Sequence, residues 1–332
     1  MLNFLIIFII LFVLEVLYLK IAIAKGIIDN PNHRSAHITP TIRGGGIIYV
    51  PALLLFLFFY SDNSLNYLPL IISVFIVAII SFIDDINPLS TKIRITMHCI
   101  AFTIIFYQFG FFNAFSILSG VFLILTYAFS LGYLNIYNFM DGINGITFLN
   151  ALATFGGLWG INKYVVEFEN SNLLMVYILA TLVFGFFNFR LKPKCFLGDV
   201  GSIAIGFSII YFVIKLFVVT QNYVTFLLLG VYLLDGGWTI VERILRKENV
   251  FKAHRRHLYQ QFANELKIPH LKISTGYFVV QLLCNGFVYY MLLNNNDLIL
   301  IALSLFVVLS FVYLYLKKRT YDKVEKLNAK NN

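Results

Sequence analysis

The run LIIFIILFVL, residues 5–14, decides the fold class, because every position in it is apolar. Similar apolar stretches of about 16–23 residues recur along the chain, and each is long enough to cross a hydrocarbon core of about 30 Å as a helix. A membrane β-barrel would instead alternate apolar and polar residues within strands of about ten residues. Because a segment in lipid must satisfy its own backbone hydrogen bonds, helices are the remaining solution. The sequence therefore predicts an all-α polytopic membrane protein.

The composition agrees with this fold class. Of the 332 residues, 60% are hydrophobic and only 12% are charged, whereas a soluble domain carries about 25% charged residues. We predict one membrane-embedded domain over residues 1–316 and a basic cytoplasmic tail over residues 317–332. The apolar runs predict about eleven transmembrane helices, over approximately residues 2–24, 44–60, 68–83, 95–112, 115–134, 146–161, 172–187, 201–219, 224–238, 273–293 and 298–316.

The positions of the basic residues predict the orientation. Short cytoplasmic loops collect Lys and Arg. If the N-terminus is outside, all of the 25 Lys and Arg residues except Lys163 and Lys215 belong to the cytoplasmic segments. We therefore predict an outer N-terminus, a cytoplasmic C-terminus and a location in the inner (plasma) membrane of the cell. The net charge of +9 is then a topological signal, and no nucleic acid is expected as a partner.

Nearly all Asp, His and Arg residues fall in five predicted inner loops, which must meet at one membrane face. The first loop, GIIDNPNHRSAHITPTIRGGG at 26–46, has the glycines and prolines of tight turns. The second, FIDDINPLSTKIR at 82–94, joins Asp84 and Asp85 to later cations. Neighbouring carboxylates raise each other's proton affinity unless a cation or metal offsets their charge. Taken alone, the first could be a basic solvated loop and the second a surface turn.

The other three inner loops add groups that suit phosphate chemistry. NIYNFMDGINGI at 135–146 is rich in amides and lacks Lys and Arg, and GDVGS at 198–202 sets a carboxylate between glycines. Mg²⁺ is usually held by one or two carboxylates together with substrate phosphates and water. The loop 235–272 contains HRRH at 254–257, whose guanidinium and imidazole groups suit phosphate. Together the loops carry the equipment of phosphoryl transfer, which relies on positioning and charge neutralisation.

These motifs resemble those of a known family, the polyprenyl-phosphate N-acetylhexosamine-1-phosphate transferases of glycosyltransferase family 4. FIDDINPLSTKIR resembles the paired-Asp motif of that family, NIYNFMDGINGI resembles its N-x-x-N-x-x-D-G-x-D-G motif, and FLGDVGSIAIGF resembles its G-D-x-G-S-x-x-x-G-F motif. The stretches RSAHITPTIRGGG and AHRRHLYQ resemble most the branch that initiates O-antigen-type polysaccharides. The peptidoglycan translocase of the family carries a run of three His that this chain lacks, so phospho-MurNAc-pentapeptide transfer is the alternative within the family.

The resemblance implies a reaction and its participants. A hexosamine 1-phosphate would pass from a UDP-N-acetylhexosamine to undecaprenyl phosphate, with release of UMP, at the start of lipopolysaccharide or other cell-surface glycan synthesis. The implied cofactor is Mg²⁺, with Mn²⁺ as an alternative ion, and membrane lipid surrounds the protein. The identity of the hexosamine and the choice between a monomer and a homodimer stay open.

The resemblance also implies roles for individual residues. Asn144 departs from the family, because most members have a second Asp at this position, and we expect Asn144→Asp to leave substantial activity. The implied catalytic residues are Asp84, Asp85 and Asp141; the substrate-binding residues are Lys92, Arg94, Asn135, Asn138, His254, Arg255 and His257; and the metal ligands are Asp199 and Asn138.

Two other classes of membrane protein fit parts of the sequence. A transporter or flippase would place ionisable residues or broken helices near the middle of the bilayer, whereas these motifs lie at the predicted inner ends of the spans. A CDP-alcohol phosphotransferase also uses Asp and Mg²⁺ but would lack the distant motifs at 198–202 and 254–257. Within the favoured reaction we expect a single displacement with Asp84 assisting proton removal, and a two-step route through an aspartyl-phosphate stays open.

Overall fold

The computed structural model describes residues 1–31, 39–60, 64–113, 116–249, 254–294 and 299–331. The predicted inner loops 26–46 and 235–272 therefore lie partly outside the described residues. A short antiparallel pair, β1 (Ile28–Asp29) with β2 (Thr41–Ile42), accompanies the helices. The helices are α1 (Leu2–Lys25), α2 (Tyr49–Tyr60), α3 (Leu68–Ile86), α4 (Thr91–Gln108), α5 (Ile117–Met140), α6 (Ile146–Tyr164), α7 (Ser171–Asn188), α8 (Gly198–Thr220), α9 (Gly230–Leu245), α10 (Leu258–Gln260), α11 (His270–Leu293) and α12 (Ile299–Asn331).

The predicted class of an all-α polytopic membrane protein is confirmed. Among the described residues, eight helices are long and apolar enough to cross a membrane, and the segment Gly45–Tyr60 is a shorter apolar helix. A helix occupies each of the predicted spans, but α4 and α6 do not belong to those eight. The count of about eleven spans and the orientation therefore stay predictions.

Two of the predicted loop boundaries are wrong. α5 continues to Met140, so Asn135 and Asn138 lie on a helix, and only residues 141–145 form the loop before α6. α9 continues to Leu245, so Asp235 lies within a helix and is buried. Polar residues at these positions suggested loops, but inside the bundle they find protein partners, which a sequence window does not reveal.

Residues 317–331, predicted as a tail, continue α12 as a helix. Lys317 is buried, and its Nζ lies 2.8 Å from Glu242 Oε2 on α9. This ion pair joins the end of α12 to the neighbouring helix.

α8 lies at the centre of the bundle. Most of its residues from Gly198 to Phe217 are buried, which is typical of a helix that is apolar on all sides. It packs against α3, α5 and α6 and against the short 3₁₀ helix Gly45–Ile48. Its first turn is therefore enclosed by protein, and the side chains of that turn are held by other elements.

Glycines allow the 3₁₀ helix to approach α8. A Cβ atom added to Gly46 would collide with the Cα atom of Gly201. Backbone atoms cannot rotate away as a flexible side chain can, so any side chain at Gly46 must push the two segments apart. The glycine triplet at 44–46 thus sets the distance between the first inner loop and α8.

We predict that Gly46→Ala lowers the thermal unfolding midpoint of the purified protein, because forced overpacking costs about 1–3 kcal/mol. The matched control is Gly156→Ala on α6, where an added Cβ meets no atom within 4 Å and Ala favours the helix by about 1 kcal/mol. Equal midpoints for the two variants would contradict the close approach.

Candidate active site

An arginine and two carboxylates join three separate elements at one end of the bundle. Arg43, which follows β2, lies with its Nε 2.7 Å from Asp85 Oδ1 and with one terminal nitrogen 2.9 Å from Asp199 Oδ1. Asp85 is in the last turn of α3 and Asp199 in the first turn of α8. The guanidinium fork can serve two oxygens at once, which a lysine cannot do with the same geometry. Arg43 therefore connects the first inner loop, α3 and α8.

Asp85 caps the N-terminus of α8 from outside the helix. Its Oδ1 accepts the N–H of Asp199 at 2.9 Å, and its Oδ2 accepts the N–H of Val200 at 3.0 Å. The first N–H groups of a helix lack partners within the helix, and the helix dipole favours a negative charge there. The Asp85 side chain is fully buried. Both of its oxygens are thus engaged in positioning Asp199.

Asp84 has a different environment from its neighbour. Its Oδ1 accepts the N–H of Leu89 at 2.6 Å, and its Oδ2 lies 2.9 Å from a terminal nitrogen of Arg94. The same nitrogen of Arg94 is 3.9 Å from Asp199 Oδ2. Asp84 therefore closes the turn between α3 and α4 and directs Arg94 toward Asp199.

Asn138 connects α5 to the cluster. Its Nδ2 donates to Asp199 Oδ2 at 3.4 Å, and its Oδ1 accepts from Ser202 Oγ at 2.8 Å. Ser202 lies one turn after Asp199 on α8. The structure thus brings Asp84, Asp85, Arg94, Asn138 and Asp199 together, as their motifs suggested.

Two ionisable groups beside the cluster have shifted pKa values. Burial raises the pKa of Asp141 to about 7, although a hydrogen bond from Thr147 lowers it, and the charge of Asp199 raises it further. Burial alone would lower the pKa of Arg43, but the charges of Asp85 and Asp199 raise it above its usual value. Asp141 can therefore change its protonation state near neutral pH, while Arg43 stays charged.

His254 packs against Phe139, an aromatic residue next to the cluster. Its ring lies 6.0 Å, between centroids, from that of Phe139, which adjoins Asn138 in sequence. Burial lowers the pKa of His254 to about 3, and the charges of His257 and Arg243 add to the shift. His254 therefore offers a neutral imidazole at pH 7 instead of a positive charge.

Other predicted site residues lie farther from the cluster. The Asn135 amide donates to Leu131 O of its own helix at 2.8 Å. His257 is buried, with its Nδ1 3.3 Å from Asp235 Oδ1. Lys92 is exposed at the start of α4, and Arg255 is exposed at the rim of a cavity of about 670 Å³ that His254 and Arg256 also line.

Sequence reasoning missed two members of the cluster, Arg43 and Ser202. Both belong to the sequence motifs described above: Arg43 precedes the glycine triplet, and Ser202 ends the stretch GDVGS. The glycines were the available signal, because they mark where the backbone of the first loop approaches α8 closely. A spacing pattern alone could not show that Arg43 lies between two carboxylates.

A divalent cation fits part of this arrangement. Within the described ranges, no three His, Cys, Asp or Glu side chains form a ready metal site, and arginines neutralise the carboxylates instead. The Asp199 side chain is 19% exposed, and its Oδ2 has the longer contacts, 3.4 Å to Asn138 and 3.9 Å to Arg94. A carboxylate completed by phosphates and water is a donor set that Mg²⁺ commonly uses, and the Asn138 amide, whose Nδ2 faces Asp199 and whose Oδ1 accepts from Ser202, would rotate to add its oxygen.

Asn144 has a structural role that the sequence did not suggest. Its Nδ2 donates to Arg190 O at 3.0 Å and to Leu191 O at 3.3 Å. Its own carbonyl accepts from Ser274 Oγ at 2.8 Å. The side chain is buried, so its amide ties the loop after α5 to the loop after α7, while the backbone carbonyl of the same residue ties it to α11. The expected activity of Asn144→Asp stays a prediction, whereas these contacts indicate that the substitution costs stability.

Comparison with known proteins gives several relatives. Residues 67–217 match the family model described as glycosyl transferase family 4. A probable undecaprenyl-phosphate N-acetylglucosaminyl 1-phosphate transferase of Bacillus subtilis (strain 168) is 27% identical over 266 residues, which cover 73% of this chain and 71% of the relative.

Phospho-N-acetylmuramoyl-pentapeptide-transferases of streptococci also match. The protein of Streptococcus pneumoniae serotype 19F (strain G54) is 30% identical over 200 residues, and that of Streptococcus agalactiae serotype III (strain NEM316) is 30% identical over 206 residues. Each alignment covers 54% of this chain and 60% of the relative. The family-model segment includes the acidic residues of the cluster but neither Arg43 nor His254.

We predict that Asn144→Asp lowers the thermal unfolding midpoint, because a carboxylate would face the two carbonyl oxygens that the amide now serves. A buried group left without its partner costs about 1–3 kcal/mol. Asn135→Asp is the matched control, since that side chain is only half-buried and its carboxylate can turn to water. An unchanged midpoint for Asn144→Asp would contradict the role of this amide.

Proposed function

Because this chain belongs to the polyprenyl-phosphate transferases of glycosyl transferase family 4, as its motifs predicted, we propose that it transfers an N-acetylhexosamine 1-phosphate from a UDP-sugar to undecaprenyl phosphate. A terminal oxygen of the lipid phosphate attacks the β-phosphorus of the UDP-sugar. The bond from that phosphorus to the bridging oxygen breaks, and UMP leaves. The product, a lipid-linked sugar diphosphate, starts a cell-surface glycan such as O-antigen, and the reaction takes place at the cytoplasmic face.

The arrangement that carries this proposal is the meeting of Asp199 with Arg43, Arg94 and Asn138. A phosphomonoester has a second pKa of about 6 and is therefore largely dianionic at pH 7. Its oxygen is already a nucleophile, so a strong general base is not required. The main barrier is the repulsion between this dianion and the diphosphate. Fixed positive groups reduce that repulsion without reorganising during the reaction.

Arg94 is suited to hold a phosphate. Its Nε is buried and has no hydrogen-bond partner within the described part of the chain. An unpaired buried donor is costly, and a phosphate oxygen would satisfy it. Asp84 already fixes the terminal nitrogen of Arg94, so the guanidinium is oriented before a substrate binds. Lys92, exposed near the same helix end, adds a second positive charge.

The geometry favours a single displacement. A nucleophilic carboxylate needs a free and accessible oxygen, but both oxygens of Asp85 accept backbone N–H groups and its side chain is fully buried. Both oxygens of Asp84 are also engaged, by Leu89 N and Arg94. We therefore assign to Asp85 the positioning of Asp199 and to Asp84 the positioning of Arg94. To Asp141, which follows the end of α5 and whose pKa burial raises, we assign proton exchange with the departing UMP.

Asp199 and Asn138 are the residues that would hold Mg²⁺ or Mn²⁺. When bound there, the ion offsets the negative charge of the diphosphate and of the leaving group. Ser202 orients the Asn138 amide, and Asp85 holds the backbone of Asp199. The site is thus organised by residues that need not themselves touch the ion.

The alternatives are weaker on specific observations. Phospho-MurNAc-pentapeptide transfer would use the same cluster, but the fifth inner loop, residues 235–272, has HRRH where the peptidoglycan translocase has its run of three His. In a transporter, the charged cluster would line a path through the middle of the bilayer. Here it joins the last turn of α3 to the first turns of α4 and α8, at one end of the bundle.

We predict that the purified protein with Mg²⁺ releases UMP when it is supplied with undecaprenyl phosphate and a panel of UDP-N-acetylhexosamines. Asp199→Asn should lower the rate at least about 100-fold, because it removes the carboxylate that the metal and Arg43 share. The matched control is Glu169→Gln, which changes a buried carboxylate near the opposite end of α8 and should keep most of the activity.

The same assay separates the competing functions. Release of UMP only with UDP-MurNAc-pentapeptide would indicate the peptidoglycan reaction. Absence of UMP release with every UDP-sugar would contradict the proposed function, and a phosphorylated enzyme isolated after incubation with UDP-sugar alone would contradict the single displacement.

A further inference from the structure

A second buried carboxylate, Asp235, lies outside the cluster described above. It is on α9 and is only 1% exposed, so its polar contacts are with protein groups. Donors from four parts of the protein surround it: Thr239 Oγ1 at 3.3 Å, His257 Nδ1 at 3.3 Å, Leu258 N at 3.1 Å and Tyr313 OH at 2.9 Å on Oδ1, and Tyr277 OH at 2.6 Å and Tyr259 N at 3.5 Å on Oδ2.

These donors define what Asp235 holds in place. Tyr277 and Tyr313 come from α11 and α12, whereas His257, Leu258 and Tyr259 belong to the short segment that carries α10. A buried carboxylate is strongly unfavourable without such partners, so the partners and the acid fix one another. Asp235 thereby holds residues 257–259 against α9, α11 and α12.

Tyr259 extends this connection to the candidate active site. Its hydroxyl donates to Phe139 O at 2.7 Å, near the end of α5. Gly142 makes room for it, because a Cβ atom there would collide with the Tyr259 hydroxyl. Phe139 adjoins Asn138, which contacts Asp199. Two hydrogen-bonded steps therefore lead from Asp235 to the helix end that bears Asn138.

The aromatic rings of the same segment set the position of His254. The ring of His257 lies 5.6 Å from that of Tyr259 and 4.8 Å from that of His254. His254 in turn packs against Phe139. With Arg256 and the exposed Arg255, His254 lines the cavity of about 670 Å³. The face of this loop that a water-soluble substrate can reach thus depends on residues that Asp235 holds.

We propose that Asp235 is a positioning residue for the nucleotide-sugar substrate: it fixes residues 257–259, and through Tyr259 and His257 it sets His254 against the end of α5, next to the exposed Arg255. This inference rests on the proposed function and deepens it. The lipid phosphate, by contrast, would approach Arg94 at the ends of α3 and α4, and among the described residues the hydrogen-bond partners of Asp235 lie on other elements. Asp235 should therefore control the binding of one substrate and not of the other.

The test compares the KM for UDP-sugar with the KM for undecaprenyl phosphate in the full-length purified protein. Asp235→Asn keeps the shape but replaces an acceptor oxygen by a donor group. We expect it to raise the KM for UDP-sugar at least about ten-fold and to change the KM for undecaprenyl phosphate less than about two-fold. Tyr259→Phe removes the hydroxyl that donates to Phe139 O and should raise the KM for UDP-sugar by about three-fold or more. This variant provides the test if Asp235→Asn does not fold.

Matched controls come from the opposite end of α8. Glu169 is a buried carboxylate that accepts from Tyr211 OH at 3.0 Å and Lys215 Nζ at 2.8 Å. Glu169→Gln and Tyr211→Phe therefore remove the same kinds of group from a site without contact to the fifth loop, and both KM values should stay within about two-fold of the parent protein. A shift of the UDP-sugar KM in the controls, or an equal shift of both KM values in Asp235→Asn, would overturn the proposal.

Hydrogen exchange separates this proposal from the proposed function. The amides of Leu258 and Tyr259 should exchange at least about ten-fold faster in Asp235→Asn than in the parent protein, and no faster in Glu169→Gln. Unchanged exchange at these amides would overturn the role of Asp235 even if the parent protein releases UMP. Faster exchange in Asp235→Asn, together with no UMP release by the parent protein, would keep the role of Asp235 in holding residues 257–259 and would overturn the proposed function and the substrate role of Asp235.

Discussion

The capping of α8 by Asp85 is the interaction on which the rest of the site depends. A helix N-terminus offers N–H groups and a partial positive charge, and here it lies at one end of the bundle, packed against α3 and the first inner loop. The Asp85 carboxylate serves two of those N–H groups. The negative charge of Asp85 would repel that of Asp199 in the first turn of α8. Arg43, which lies between the two acids, offsets this repulsion. The helix end, the acids and the arginine therefore require one another.

This constraint explains why adjacent acids have separate roles. Asp85 faces α8 and holds Asp199, whereas Asp84 faces the turn to α4 and holds Arg94. Asp85 thus positions a carboxylate suited to a metal, and Asp84 positions a guanidinium suited to a phosphate. Asp235 on α9 has a similar role, because it also accepts hydrogen bonds from several elements and acts through the residues of the fifth loop that it holds.

Much of the fold could be predicted from local patterns, and much of the site could not. Apolar runs such as residues 5–14 are long enough to specify spanning helices without reference to neighbours, and the motifs around Asp84, Asn138 and Asp199 correctly indicated which residues meet. The contacts of Arg43 and Asn144 depend on elements far away in sequence. The extension of α5 through Asn138 was hidden because polar residues usually mark a loop, and here their partners are supplied by α8.

The most direct test of the central claim is a double-mutant cycle between Arg43→Met and Asp85→Asn, measured as free energies of unfolding in mixed micelles. If Arg43 offsets the charge of a buried Asp85, removing both groups should cost less than the sum of the separate losses, by about 1–3 kcal/mol. Losses that add to within about 0.5 kcal/mol would contradict the account, because the two groups would then contribute to stability independently.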